Sequence, residues 1–204
     1  MRMLILDPTE QKRLIRRRRA IGADRFDEVW DGVYVIAPTA DNEHQYVAGK
    51  LVSALDQAIS RTSSARVYPG VNVSDRADDW KKNYRCPDVA VFLPGNPARD
   101  SGTHWLGWPD FAIEIVSSHD RSRRKLPFYA KVGVRELLLV NRRPWSLDLY
   151  RLREQALELA GRSSLETPQT LASDVLPLTF RLVAAEDRPQ IEVSLVGGPE
   201  KWMT

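Results

Sequence analysis

The chain has 204 residues, 43% hydrophobic and 28% charged, with a formal net charge of +3. This suits one soluble domain with a sizeable core, and such mild basicity permits a nucleic-acid partner without requiring one. A single cysteine, Cys86, excludes an intrachain disulfide, and no Cys/His spacing points to zinc.

The start, "MRMLILDPTE", has too short an apolar run for a secretory leader, and no stretch is long enough to span a bilayer. A cytoplasmic protein with no membrane association is the expectation. "DPTEQKRLIRRRRA" predicts a helix capped by Asp7, with Pro8 in its first turn and a basic face. "RFDEVWDGVYVIAP" predicts a hairpin turning at Asp31-Gly32. From residue 41 to 60, Val47, Leu51, Ala54, Leu55 and Ala58 recur at helical spacing. "ARVYPGVNVS" reads as a strand broken at Pro69-Gly70, and "DRADDWKKNYRC" as a polar, exposed stretch.

"PDVAVFLP" predicts a short strand, "GNPARDSGTHWLGWP" a loop, and "FAIEIV" a buried strand. Residues 121–132 predict a helix stopped by Gly133. "RELLLVN" and "WSLDLYRL" pair as strands through a turn at residues 142–144, and the last fifty or so residues carry weak strand signals that place them at the periphery. Strands alternating with helices predict a mixed sheet flanked by helices.

Glu114 stands alone among Phe111, Ala112, Ile113, Ile115 and Val116, where an ionised carboxylate needs a positive partner. Asp88 opens a neighbouring strand. Two acids on adjacent strands can hold a divalent cation through oxygen, and a nearby lysine would stabilise charge developing on phosphate. Asp110 is a poorer partner, because four residues along one strand separate it from Glu114 by roughly 13 Å. An ion pair between Glu114 and an arginine near residues 121–124 is the competing reading.

The ordered set "PDVAVFL…DFAIEIVSS…RRKLPFYAKVGVRELLLVN" resembles the PD-(D/E)xK nuclease superfamily, and more closely the Uma2 family of restriction-endonuclease-like proteins. Lys125, Tyr129, Gly133, Val134 and Glu136 stand at that family's helix spacings, and "FDEVWDGVYVIAPTADNEHQYVAGKLVSAL" resembles its hairpin and first helix. The resemblance covers residues 26–153. It departs at Val116, the superfamily's usual lysine slot, at Ser118 and His119, where a proline-containing turn is usual, and at "ELLLVN", which lacks the family's aromatic residues.

The resemblance implies an α/β (α+β) restriction-endonuclease-like fold and Mg²⁺- or Mn²⁺-dependent hydrolysis of DNA. Asp88 and Glu114 would be the metal ligands and Lys125 the active lysine. Glu43 would take an auxiliary metal or water-positioning role, and His44 a neighbouring site role. Arg85, Arg121, Arg123 and Arg124 are candidate nucleic-acid contacts, with a solvated surface position as the alternative for each. Two-strand cleavage implies a homodimer, and aromatics such as Trp105, Trp108 and Trp202 in loop and tail segments suggest a covered surface. A catalytically silent module binding nucleic acid or a protein partner, or a purely structural oligomer, is the alternative to the nuclease.

Overall fold

The computed structural model describes residues 7–37, 40–60, 64–117 and 121–204. Helix α1 (Pro8–Ala20) starts as its sequence predicts: the Asp7 carboxylate accepts from the amides of Thr9 at 2.7 Å and Glu10 at 3.2 Å. None of its residues is buried, and Arg18 ties it to Asp27 at 2.6 Å. Strands β1 (Glu28–Trp30) and β2 (Val33–Val35) form the expected hairpin. Its turn residues Asp31 and Gly32 have φ of 47° and 86°, the double positive φ of a tight two-residue turn. Helix α2 (Asn42–Ser60) buries Val47, Leu51, Ala54, Leu55 and Ala58, the stripe its periodicity marks.

The chain then runs through β3 (Arg66–Pro69), β4 (Val73–Ser74), β5 (Tyr84–Arg85), β6 (Val89–Phe92), β7 (Arg99–Asp100), β8 (Trp105–Leu106) and β9 (Phe111–Val116). Helix α3 (Ser122–Val132) ends at Gly133, φ 93°, whose amide and that of Val134 return to the carbonyls of Ala130 and Tyr129. Strands β10 (Glu136–Arg142), β11 (Trp145–Arg153), β12 (Ala156–Ser164), β13 (Leu171–Ala172), β14 (Leu178–Val183), β15 (Gln190–Leu195) and β16 (Lys201–Met203) complete it.

The central sheet has the order β12-β11-β10-β9-β6-β3 and is antiparallel except between β9 and β10. Alternation gives it two buried faces. Phe111, Ile113 and Ile115 join α2 and β14–β15 in one core; Ala112, Leu137 and Leu139 join Phe128, Tyr129 and Val132 of α3 in the other. Glu114 shares the parity of Ala112 and so faces α3.

Three expectations are corrected. The C-terminal strands are not peripheral: Leu178, Phe180, Leu182, Ile191 and Val193 are fully buried, and Phe180 stacks on Phe111 with ring centres 5.5 Å apart. The stretch before Cys86 is not simply exposed, since Asn83 and Arg85 are buried as β5 enters the smaller sheet β2-β1-β5-β4-β8-β7. The tryptophans expected at a subunit surface pack on their own chain. Trp105 stacks on Phe92 at 3.9 Å, Trp108 lies against Gly133, and Trp202 donates to Gln57 and packs on the first core.

Candidate active site

Strands β6 and β9 pair through Val89↔Ile113, and one further antiparallel step sets Asp88 opposite Glu114 on the same face. Asp88 is held beside β9 by the Ile115 amide, which donates to Oδ2 at 2.7 Å. His44, in the first turn of α2, reaches the same oxygen through Nε2 at 3.2 Å. Oδ1 of Asp88 has no hydrogen-bond partner among the described residues, and the side chain is 23% exposed.

Glu114 is 3% exposed. Lys125 Nζ donates to both of its oxygens at 2.9 Å, and the Tyr129 hydroxyl donates to Oε1 at 2.5 Å. Lys125 and Tyr129 lie four residues apart, so one face of α3 supplies both donors. Among the described residues, no arginine takes this role. Lys125 also lies 2.9 Å from Glu28 Oε1. Glu28 in turn accepts from the Cys86 amide at 2.7 Å and from Trp30 Nε1 at 2.6 Å. One buried carboxylate thus joins the hairpin, the chain leading into Asp88 and the lysine.

Two carboxylates therefore touch one ammonium, and a third, Asp88, acts on it through its charge. Glu114 is raised from 4.5 to about 8, chiefly by burial; Lys125 opposes the rise, while Asp88 and Glu28 add to it. Burial works against the charge on Lys125, but Glu114, Glu28 and Asp88 outweigh it and hold the ammonium well above its ordinary range. Burial likewise lowers His44, yet Asp88 moves it net upward. Burial, with Glu28 adding to it, pushes the Cys86 thiol up, which removes it as a nucleophile.

The chain matches the family Uma2, described as "putative restriction endonuclease", over residues 18–185. It belongs to the Uma2 family. No curated protein matches it. Among solved structures, a chain described as a putative nuclease belonging to DUF820, from Anabaena variabilis, is similar with a TM-score of 0.57 at 19% identity. The match covers 72% of this chain and 80% of that one. Such a likeness speaks for the nuclease-like fold, and the family description supports a nuclease.

Within this Uma2 chain, the structure brings Asp88, Glu114, Lys125 and His44 together. Lys125, read from the sequence as part of a polar helix start, is mostly covered, 12% exposed, and touches Glu114 and Glu28. Glu43 instead pairs with Arg142 at 2.8 Å, and Arg142 also binds Asp41 at 2.7 Å and 3.1 Å. The Arg142 hydrogen bond holds Asp41 down at about 2.

Arg85 is corrected as a surface contact. Its guanidinium is buried 4.1 Å over Phe128 and donates to the Val29 carbonyl at 2.9 Å. Arg121 and Arg124 are exposed, and Arg123 is anchored on Asn141 and Asp148. Ser118 and His119 lie outside the described residues.

Glu28 escaped the sequence reading. Its signal is faint: in a strand of three residues it shares a face with Trp30, and Asp27 and Asp31 flank it as equally plausible acids.

Among the described residues, no group of three or more His, Cys, Asp and Glu converges as a metal cage. The residues present nonetheless fit a hard divalent cation. Mg²⁺ is usually held by one or two carboxylates with water and substrate oxygen completing its shell. Asp88 offers a free oxygen, and the cluster of three acids and one ammonium is short of positive charge by two units at full ionisation.

Proposed function

We propose that this Uma2 member is a metal-dependent endonuclease that hydrolyses phosphodiester bonds of DNA in the cytoplasm, with Asp88 and Glu114 as ligands for Mg²⁺ or Mn²⁺. The observation that carries this reading is the pairing of buried Glu114 with Lys125 beside the partly open Asp88, on the sheet face covered by α3.

The residues divide the work. His44 and the Ile115 amide fix one oxygen of Asp88 and leave the other for ligation. Tyr129 and Lys125 orient Glu114. Lys125 remains protonated, so it acts as a cation and not as a base. It stabilises charge developing on the phosphate oxygens and helps orient the attacking water, a role worth about 10²–10³ in rate for a positioned donor. Glu28 keeps that ammonium in place. A bound divalent ion supplies the Lewis acid and lowers the pKa of its water.

Calorimetry with Mn²⁺ tests the ligand assignment. Wild type is expected to bind, and Asp88→Asn and Glu114→Gln to lose most of that affinity. Equal binding by all three proteins would remove both acids from the site. A silent binding module would take up DNA but leave it intact with either ion.

Cleaving both strands of a duplex takes two sites of opposite polarity, so a homodimer belongs to the same proposal. The packed tryptophans add nothing to it. Light scattering tests it: a mass near the 23.2 kDa of one chain would restrict the enzyme to nicking or to single strands.

A further inference from the structure

Another buried carboxylate, Asp148, lies two strands along the sheet from Glu114. Glu114 is paired with Leu139 of β10, Leu139 with Asp148 of β11, and Asp148 with Arg162 of β12. Residues directly opposite share a face, so the row lies on the α3 side. Two spacings of about 4.8 Å put Asp148 roughly 10 Å from Glu114.

Asp148 is 0% exposed, yet the two arginines on it are 51% and 56% exposed. Arg162 donates through Nε at 2.6 Å and Nη2 at 3.1 Å. Arg123, from the first turn of α3, donates through Nη2 to Asp148 at 3.1 Å and to Asn141 Oδ1 at 2.9 Å. Asn141 closes the cluster with a 3.2 Å bond to Asp148.

One carboxylate thus anchors two guanidiniums and leaves a net positive charge. Arg162 keeps Nη1 free of partners among the described residues, and Arg123 keeps Nη1 and Nε. Free guanidinium edges fixed from behind suit the forked geometry of a phosphate.

We propose that Arg123 and Arg162, held by Asp148, bind a backbone phosphate of the DNA strand that is cut at Glu114 and Lys125, a role that presupposes the nuclease reading of that site. They would set the register of the strand without reading bases.

The test is fluorescence anisotropy with a labelled duplex oligonucleotide, in EDTA to prevent cleavage, over a range of KCl concentrations. Arg162→Gln and Arg123→Gln are each expected to weaken binding at least about tenfold, the loss of a charge-assisted hydrogen bond. Each should also flatten the slope of log affinity against log salt by about 1. Arg123→Gln leaves the Arg162–Asp148 pair intact, and Asp148→Asn/Arg162→Gln removes both charges of that pair. These two variants should melt near wild type and still show the loss. Folded variants with wild-type affinity and salt slope, beside a wild type that binds DNA, would overturn the phosphate site and leave the nuclease reading standing. A wild type that neither binds nor cuts DNA would overturn both.

Discussion

Lys125 of α3 and Glu28 of β1 meet at 2.9 Å, and Glu114 lies at the same distance from the ammonium. The N-terminal hairpin is therefore part of the site and not a decoration on its edge. Glu28→Gln keeps the shape but removes the charge that holds Lys125. In the proposed nuclease it is expected to cut turnover about 10–100-fold, the usual cost of losing such a supporting partner. Mn²⁺ affinity should change far less, because Asp88 and Glu114 are untouched. Calorimetry beside cleavage kinetics separates the two effects, and equal losses in both would make Glu28 a ligand.

Replacing the lysine tests the centre of the cluster. Lys125→Met leaves buried Glu28 without its cation and is expected to destabilise the metal-free protein by about 3–5 kcal/mol, besides abolishing most cleavage. Lys131→Ala is the control. Its Nζ pairs with Asp75 at 3.0 Å but the side chain is 67% exposed, so stability should move by less than about 1 kcal/mol and activity not at all. Urea denaturation of the two variants gives the comparison.

The acid at the centre also sets a pH dependence. Glu114 is raised from 4.5 to about 8 on folding, so between those values the folded chain holds a proton that the unfolded chain has released. Stability of the metal-free protein should fall as pH rises through that window and level off above it. Glu114→Gln should remove this part of the slope, and Mn²⁺, by favouring the ionised carboxylate, should flatten it in wild type. Thermal melts across pH check the sign.

The C-terminal strands offer a separate test of the fold. Phe180→Ala removes a fully buried ring stacked on Phe111 and is expected to cost about 3–5 kcal/mol. A loss under about 1 kcal/mol in denaturant would return these strands to the periphery.

What was legible in the sequence follows from how far each signal reaches. The α2 stripe, the Asp31-Gly32 turn and the Gly133 stop are local, and all three stand where the sequence places them. Glu114 was conspicuous because a lone acid in an apolar strand needs a partner, and Lys125 proved to be that partner. Glu28 was hidden because only tertiary packing decides that it, and not Asp27 or Asp31, meets the lysine. Arg85 misled for the same reason. A polar run carries no mark of the Phe128 and Trp30 rings between which its guanidinium lies. The alternation of Leu178, Phe180 and Leu182 was present, but the core that it completes includes Phe111 of β9, more than sixty residues earlier.

The most direct measurement is cleavage itself. Supercoiled plasmid and single-stranded DNA would be incubated with wild type, Glu114→Gln and Asp88→Asn in Mg²⁺, Mn²⁺ and EDTA. Wild type is expected to cut with either ion and not in EDTA, and both variants to lose at least about two orders of magnitude. Cutting that persists in EDTA, or that both variants retain at the wild-type rate, would contradict it.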